Sequence, residues 1–268
     1  MKTSPDKSSQ QKLFQVAAIS SPSQAFTLME LLVVIAIIAI LAALLFSALS
    51  KAKNQAGKAT DLNNLKQIML STHMYAEDYA DVLPLPNWDN GGPLGDGQFH
   101  AGWLYKADPT LPNPTKFKAE TGLLWNTLGA GKLYLCPMDN PQAVGWSALD
   151  QRNMQRPQQL SSYALNGCVT GGMNGWNHPE IPAAKLAQMR SDDCGYWESD
   201  ESDPQHFNDG GNDPFEPVSK RHQQGGIQAS FDGSVSFIRF ADWTVLAADT
   251  TRNRLWCYPG SPDGHYQF

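Results

Sequence analysis

From Leu31 to Phe46 every residue is apolar, LLVVIAIIAILAALLF, and nothing else in the chain restricts its folding as much. Admitting Ser47 extends the run through Leu49. At about 1.5 Å of rise per helical residue, Phe26 to Leu49 would span roughly 36 Å, more than the roughly 30 Å of a bilayer's hydrocarbon core. Water offers so apolar a surface no favourable state, so the segment belongs in lipid or against protein. One carboxylate, Glu30, stands at its start. A charge beside hydrocarbon is costly and marks a functional position.

Three readings fit such a run. A secretory signal peptide has a shorter apolar core followed by a small-residue cleavage site, which Ala48 and Ser50 imitate loosely. A plain membrane anchor accounts for the length but leaves Glu30 unexplained. The third takes in what precedes the run: Ala25-Phe26-Thr27-Leu28-Met29-Glu30 abutting a Leu/Val/Ile/Ala stretch resembles the prepilin signal of type IV pilins and type II secretion pseudopilins. The resemblance implies that a prepilin peptidase cuts between Ala25 and Phe26 on the cytoplasmic side and N-methylates Phe26. The apolar run then stays attached as a helix, with Glu30 as the fifth residue of the mature chain. Family members usually have Gly where this chain has Ala25. Many have Pro at the position of Ser47, and its absence implies a straighter helix.

Residues 1–25 are mostly polar, with Lys2, Lys7 and Lys12 against Asp6, and are read as a cleaved leader. These lysines favour the cytoplasm, but Lys51, Lys53 and Lys58 follow the span, so charge alone does not orient it. The helical signal continues from Ser50 to Ala80 with no Pro and a single Gly57. Ala52, Ala56, Ala59, Leu62, Leu65, Met69, Thr72, Ala76 and Tyr79 recur at steps of three and four, predicting one face that lies on a sheet. Pro84 ends the helix. The chain thus divides into a leader (1–25), a membrane and assembly half-helix (26–49), an amphipathic half-helix (50–80) and a globular domain (84–268).

Within that domain the sequence predicts a short helix over Thr121–Leu128, a strand over Lys132–Cys136, a helical turn or two within Pro182–Arg190, and a hairpin over 226–240 around Asp232-Gly233. The preferred pairing sets Phe231 opposite Val235, so that Ile227, Ala229, Phe231, Val235 and Phe237 share the buried face. The expected fold is α+β and pilin-like: a long N-terminal helix packed on a small antiparallel sheet with long loops. LYLCPMD, the Ser161–Gly167 stretch, and His222 followed nine residues later by Asp232-Gly233 resemble, in this order, motifs of prepilin-like proteins of planctomycete and verrucomicrobial type. For His222 the reading is structural, bonded near the hairpin turn or the sheet edge.

The formal net charge of −6 argues against a nucleic-acid footprint, which would be basic. No GxSxG, HExxH, P-loop or dinucleotide fingerprint is present, so no catalytic residue is assigned and the chain is not read as an enzyme. Cys136 with His222 as nucleophile and base has no supporting spacing, and His73 with Glu77, one turn apart, suggests a surface pair. Cys136, Cys168, Cys194 and Cys257 permit two disulfides in three connectivities, or free buried thiols. Without a CxxC pair no thiolate metal site is expected. The acidic stretch holding Asp200, Glu201, Asp203, Asp209 and Asp213 suits a hard cation such as calcium by donor type, though a solvated loop is the preferred reading and no cofactor is assigned.

The resemblance implies a structural subunit of a type II secretion or type IV pilus-like filament. Its partners would be prepilin peptidase, other pilin or pseudopilin subunits, the inner-membrane assembly machinery and membrane lipid, with the globular domain outside the cytoplasm. Glu30 would pair with the positively charged N-terminus of a neighbouring subunit. The alternative is a membrane-anchored domain that binds glycan or another surface ligand through its Trp and Tyr residues, the eight Trp being many for a domain of this size. Tryptophans exposed on one face would favour that alternative; a buried set would favour a structural pilin.

Overall fold

The computed structural model describes residues 27–87, 99–112, 115–139, 160–170, 183–200 and 210–265. The chain forms two compact units, Met1–Leu49 and Ser50–Phe268. Helix α1, Leu28–Asp78, is a single helix of 51 residues. In the first unit its side chains are exposed throughout, Ala42 alone being half-buried. Ser47 donates its hydroxyl to the Leu44 carbonyl at 2.9 Å, and the helix passes through it unbroken.

In the second unit the buried side chains of α1 are Asp61, Asn64, Leu65, Ile68, Met69, Ser71, Thr72 and Ala76. The buried face therefore begins at Asp61, not at Ala52; Ala52, Ala56 and Ala59 are exposed, as is Tyr79. It is also more polar than the apolar stripe predicted, because groups on the sheet and loops supply hydrogen-bond partners. Thr72 Oγ1 lies 2.9 Å from the Tyr196 hydroxyl, and Asn64 donates to the Leu135 carbonyl at 3.0 Å. The helix ends where Ala80 and Asp81 turn to positive φ (55° and 70°), ahead of Pro84.

The sheet has five strands: β1 Tyr163–Asn166, β2 Cys194–Glu198, β3 Gly211–Asn212, β4 Gly225–Ser230 and β5 Val235–Arg239, in spatial order β3-β1-β2-β4-β5. All pairs are antiparallel except β1 with β3, so the sheet is mixed rather than purely antiparallel. One face meets α1 and the loops through Tyr163, Leu165, Tyr196, Ile227, Ala229 and Phe231. The other carries Trp197 and Ile238, which pack on Trp243 of a short helix, α3 (Phe240–Ala248). Each buried indole removes about 150–250 Å² from water, on the order of several kcal/mol of apolar burial.

Three local expectations change. Gly131–Tyr134 is a 3₁₀ turn, not a strand; Tyr134 is buried against Trp103 while Leu133 stays half-buried and Leu135 exposed. Thr121–Leu128 divides into a 3₁₀ turn (Ala119–Thr121) and a one-turn helix, α2 (Trp125–Leu128), stopped by Gly129 at φ 62°. In the β4–β5 hairpin Ala229 pairs with Val235 and Ile227 with Phe237. The faces are as expected, but the loop is Phe231-Asp232-Gly233, closed by Ser230 and Ser234 with Gly233 at φ 81°. Phe231 leaves the ladder because its N–H bonds the Asp193 carbonyl while its ring enters the core. The 183–190 segment forms one 3₁₀ turn, Leu186–Gln188.

Candidate functional site

Two places concentrate residues singled out by the sequence. The first is the start of α1. Thr27 precedes the helix, and its hydroxyl accepts the Glu30 N–H at 3.2 Å. Glu30 in return accepts the Thr27 N–H at 2.9 Å and the Thr27 hydroxyl at 2.7 Å. This reciprocal arrangement is a capping box, which satisfies helix N–H groups that have no partner within the helix. Its signature, Thr-x-x-Glu before an apolar run, is legible in the sequence and supplies a local role for Glu30 that the resemblance did not. Ala25 and Phe26, the expected cleavage pair, lie outside the described residues.

The second place is buried. The cross-strand pair Tyr163–Glu198 puts both side chains on the α1 face of the sheet. There the Tyr163 hydroxyl donates to Asp61 Oδ1 from α1. His222, in the turn before β4, brings Nε2 to 3.1 Å from Asp61 Oδ2, 3.5 Å from Glu198 Oε2 and 3.5 Å from Cys136 Sγ. Arg221 pairs with Glu198 Oε1 at 3.1 Å and with Asp139 Oδ2 at 3.3 Å. Ser162 closes the ring, donating to Asp139 at 2.7 Å and accepting the Cys136 N–H at 3.0 Å. Glu198 Oε2 also accepts the Ile227 N–H at 2.9 Å. Gly226 permits this close approach, since a Cβ there would stand 2.7 Å from Val218 and 3.1 Å from Glu198 Oε2.

Burial raises the charging cost of every member, and the neighbours decide the outcome. For Asp61, burial and the nearby Glu198 charge push its pKa up to about 6. For Glu198, His222 and Arg221 outweigh burial and lower it to about 2. For His222, burial opposes the charge, but hydrogen bonds to Asp61 and Glu198 outweigh it and raise the ring to about 9. Burial and the two carboxylates push the Cys136 thiol well up, so it is no activated nucleophile even though His222 is beside it. His222 Nδ1 has no hydrogen-bond partner among the described residues. One nitrogen, one sulfur and two carboxylate oxygens, all buried and all within 4.8 Å of one another, form a donor set of the kind that holds a metal ion.

The structure thus relocates several predicted residues. His222 is bonded within this cluster, neither at the hairpin turn nor at the sheet edge. Asp232 is exposed and accepts the Ser234 N–H at 2.7 Å, and Gly233 supplies the positive-φ turn. His73 Nε2 pairs with the Phe231 carbonyl at 2.8 Å, not with Glu77. All four cysteines are free and buried. The Cys168 and Cys257 sulfurs face each other at 2.6 Å, while Cys136 belongs to the His222 cluster and Cys194 to the Trp197 core. Of the acidic stretch, Glu201, Asp203 and Asp209 lie outside the described residues. Asp200 is buried, and Asp213 accepts the Tyr258 hydroxyl at 2.9 Å. Sequence reasoning missed Asp61, Glu198 and Arg221, none of which stands in a recognisable spacing.

Residues 20–46 match the family model described as the prokaryotic N-terminal methylation motif. This supports a type IV pilin-like precursor, anchored in a membrane by its apolar helix. Such a motif implies processing by prepilin peptidase and assembly with other pilin subunits. No curated protein and no solved structure matches the chain. The ligand-binding alternative gains nothing from the described tryptophans: Trp103, Trp197, Trp243 and Trp256 are fully buried and Trp125 is half-buried.

Proposed function

We propose that the chain is a structural pilin-like subunit, a pseudopilin or minor pilin. Prepilin peptidase cuts it between Ala25 and Phe26, N-methylates Phe26, and the inner-membrane machinery assembles it through α1 into a type II secretion or type IV pilus-like filament. Before assembly it is a single-pass inner-membrane protein with the Ser50–Phe268 unit outside the cytoplasm. The observation that carries this reading is the methylation motif over residues 20–46, joined to a helix whose apolar half buries no side chain. In water that surface would drive aggregation; in lipid, or among the helices of sister subunits, it is compatible with a stable state. The broad loop-bearing domain suits a minor or tip subunit, because bulky excursions obstruct close helical stacking.

Glu30 has a place in this scheme beyond its cap. A carboxylate carried into a filament core of packed helices must be paired, and the methylated N-terminus of an adjacent subunit is a cation of the right charge. The deciding measurement is mass spectrometry of the mature N-terminus in cells with and without prepilin peptidase. N-methyl-Phe26, present only with the peptidase, is the expected result. A terminus near Ser50 would identify a secretory signal peptide and overturn the proposal.

A further inference from the structure

We propose that Asp61, Cys136, Glu198 and His222 bind one divalent transition-metal ion, with zinc the best fit, as a structural staple between α1 and the sheet. The site is independent of the filament reading and stands or falls on its own measurement. Its geometry is the main argument. In a tetrahedral zinc site with bonds of about 2.0 Å to N or O and about 2.3 Å to S, neighbouring ligand atoms are roughly 3.3–3.8 Å apart. Here His222 Nε2 stands 3.1, 3.5 and 3.5 Å from its three neighbours, and all four donor atoms lie within 4.8 Å of one another. A single Nε2–H can serve one acceptor well, yet three lone-pair donors converge on it. A cation at the common centre engages all four at once.

The donor chemistry narrows the ion. A thiolate and an imidazole disfavour calcium and magnesium, which take oxygen ligands, and suit zinc and its neighbours. The charge balance is maintained: M²⁺ enters as the Cys136 thiol and the His222 imidazolium each release one proton. Two positive charges replace two, and the buried group keeps its net charge beside Arg221. Every ligand side chain is buried, leaving no coordination position open to water, which marks a structural rather than a catalytic site. The four ligands come from α1, the Cys136 turn, β2 and the turn before β4. One ion therefore closes three long loops of the chain.

Three of the four ligands have outer partners, and only the His222 Nδ1 lacks one among the described residues. Glu198 Oε1 is held by Arg221, Asp61 Oδ1 by Tyr163, and the Cys136 N–H by Ser162, each leaving the other ligand atom turned to the centre. Outer partners of this kind orient ligands and support affinity.

The test uses the full-length chain in detergent micelles. The expected results are one zinc per chain after dialysis against a weak chelator, a lower Tm in a strong chelator, and a cysteinate-to-cobalt charge-transfer band when Co²⁺ replaces zinc. Cys136→Ser should remove that band and weaken zinc binding at least roughly 100-fold, beyond the 10–100-fold that losing an outer partner costs. Cys257→Ser, which spares the cluster, should keep the band. Substoichiometric zinc, no cobalt band and a chelator-insensitive Tm in the wild-type chain would overturn the proposal and leave an ion-pair network. Stoichiometric zinc that Cys136→Ser retains unchanged would place the ion elsewhere and overturn it equally. Should Cys136→Ser fail to fold, the wild-type cobalt band and its survival in Cys257→Ser decide.

Discussion

The two halves of α1 follow opposite rules. From Leu28 to Leu49 the helix is almost wholly apolar and buries nothing; from Asp61 to Ala76 it buries two amides or carboxylates, two hydroxyls and only four apolar side chains. Amphipathic reasoning expects the reverse, apolar inside and polar outside. Each half is written for its own solvent. The first is written for lipid or sister helices, where a uniform apolar surface is correct and a single carboxylate is an exception that needs a reason. The second is written for one fixed neighbour, the sheet with its loops, whose polar groups meet Asp61, Asn64 and Thr72. Burying a charge is tolerated there because the partners are preorganised.

That contrast breaks most readily at Glu30. If its carboxylate serves assembly, Glu30→Ala should reduce filament incorporation to background while N-terminal cleavage continues, as followed by sheared-filament immunoblot and N-terminal mass spectrometry. Glu30→Gln sharpens the question. A glutamine can still close the capping box with Thr27 but carries no charge. Assembly of Glu30→Gln at wild-type levels would assign Glu30 to the cap alone; failure equal to Glu30→Ala assigns it to charge pairing.

The buried cluster should give the largest stability effect in the second unit. His222→Ala removes the group shared by Asp61 and Glu198 and leaves two carboxylates facing each other. Breaking a buried pair in this way costs about 3–5 kcal/mol, to be read from chemical denaturation of the detergent-solubilised chain. Asp232→Asn, at the other end of the same sequence motif, should change stability by less than about 0.5 kcal/mol, as expected of an exposed substitution. Equal losses at both positions would show that the two residues act together after all.

A third effect separates the Trp243 side of the sheet from the α1 side. Asp213 is raised to about 6 by burial, against which the Tyr258 hydroxyl works, and Glu216 to about 8, by burial and the nearby Asp213. The folded state therefore holds protons that the unfolded chain has released. These two groups contribute stability that is present below about pH 4, their unfolded range, and is lost as pH rises through 6 and then 8. Tm should fall by a few degrees across that window. Glu216→Gln should flatten the upper part of the curve; an unchanged profile would mean that Glu216 is charged in the folded protein.

How much of this could be read from residues alone differs between the two units. The first unit was legible because lipid imposes one rule on every position, and a helix of the required length follows from composition. In the second unit the hairpin was legible from Asp232-Gly233, whose conformational demand is local. Its exact pairing was not, because Phe231 is claimed by both the core and the Asp193 carbonyl. The cluster could not be read. Its ligands stand at 61, 136, 198 and 222, and only the sheet register and the turn before β4 bring them together. Apolar periodicity skips Asp61, because a carboxylate breaks the pattern even when it lies on the buried face. Yet Cys136, Asp139, Ser162, Tyr163 and His222 all fall in the three stretches that resemble motifs of prepilin-like proteins. Their convergence on one buried group gives those motifs a common physical purpose.

The smallest effect concerns Thr27, the partner that gives Glu30 its local role. Thr27→Ala removes the hydroxyl that accepts the Glu30 N–H and donates to its carboxylate. Losing such a cap typically costs about 0.5–2 kcal/mol. In this chain the loss should be confined to the first turn, since tens of following residues continue the helix. Hydrogen exchange in micelles should therefore show faster exchange at the amides nearest Leu28, with those beyond the first two turns unchanged. Tm of the second unit should not move. Without the Thr27 hydroxyl the Glu30 carboxylate is also less tied to its own helix, so a charge-pairing role predicts that Thr27→Ala still assembles. If Thr27→Ala abolished assembly as fully as Glu30→Ala, the capped conformation itself, rather than the free charge, would be what the filament recognises.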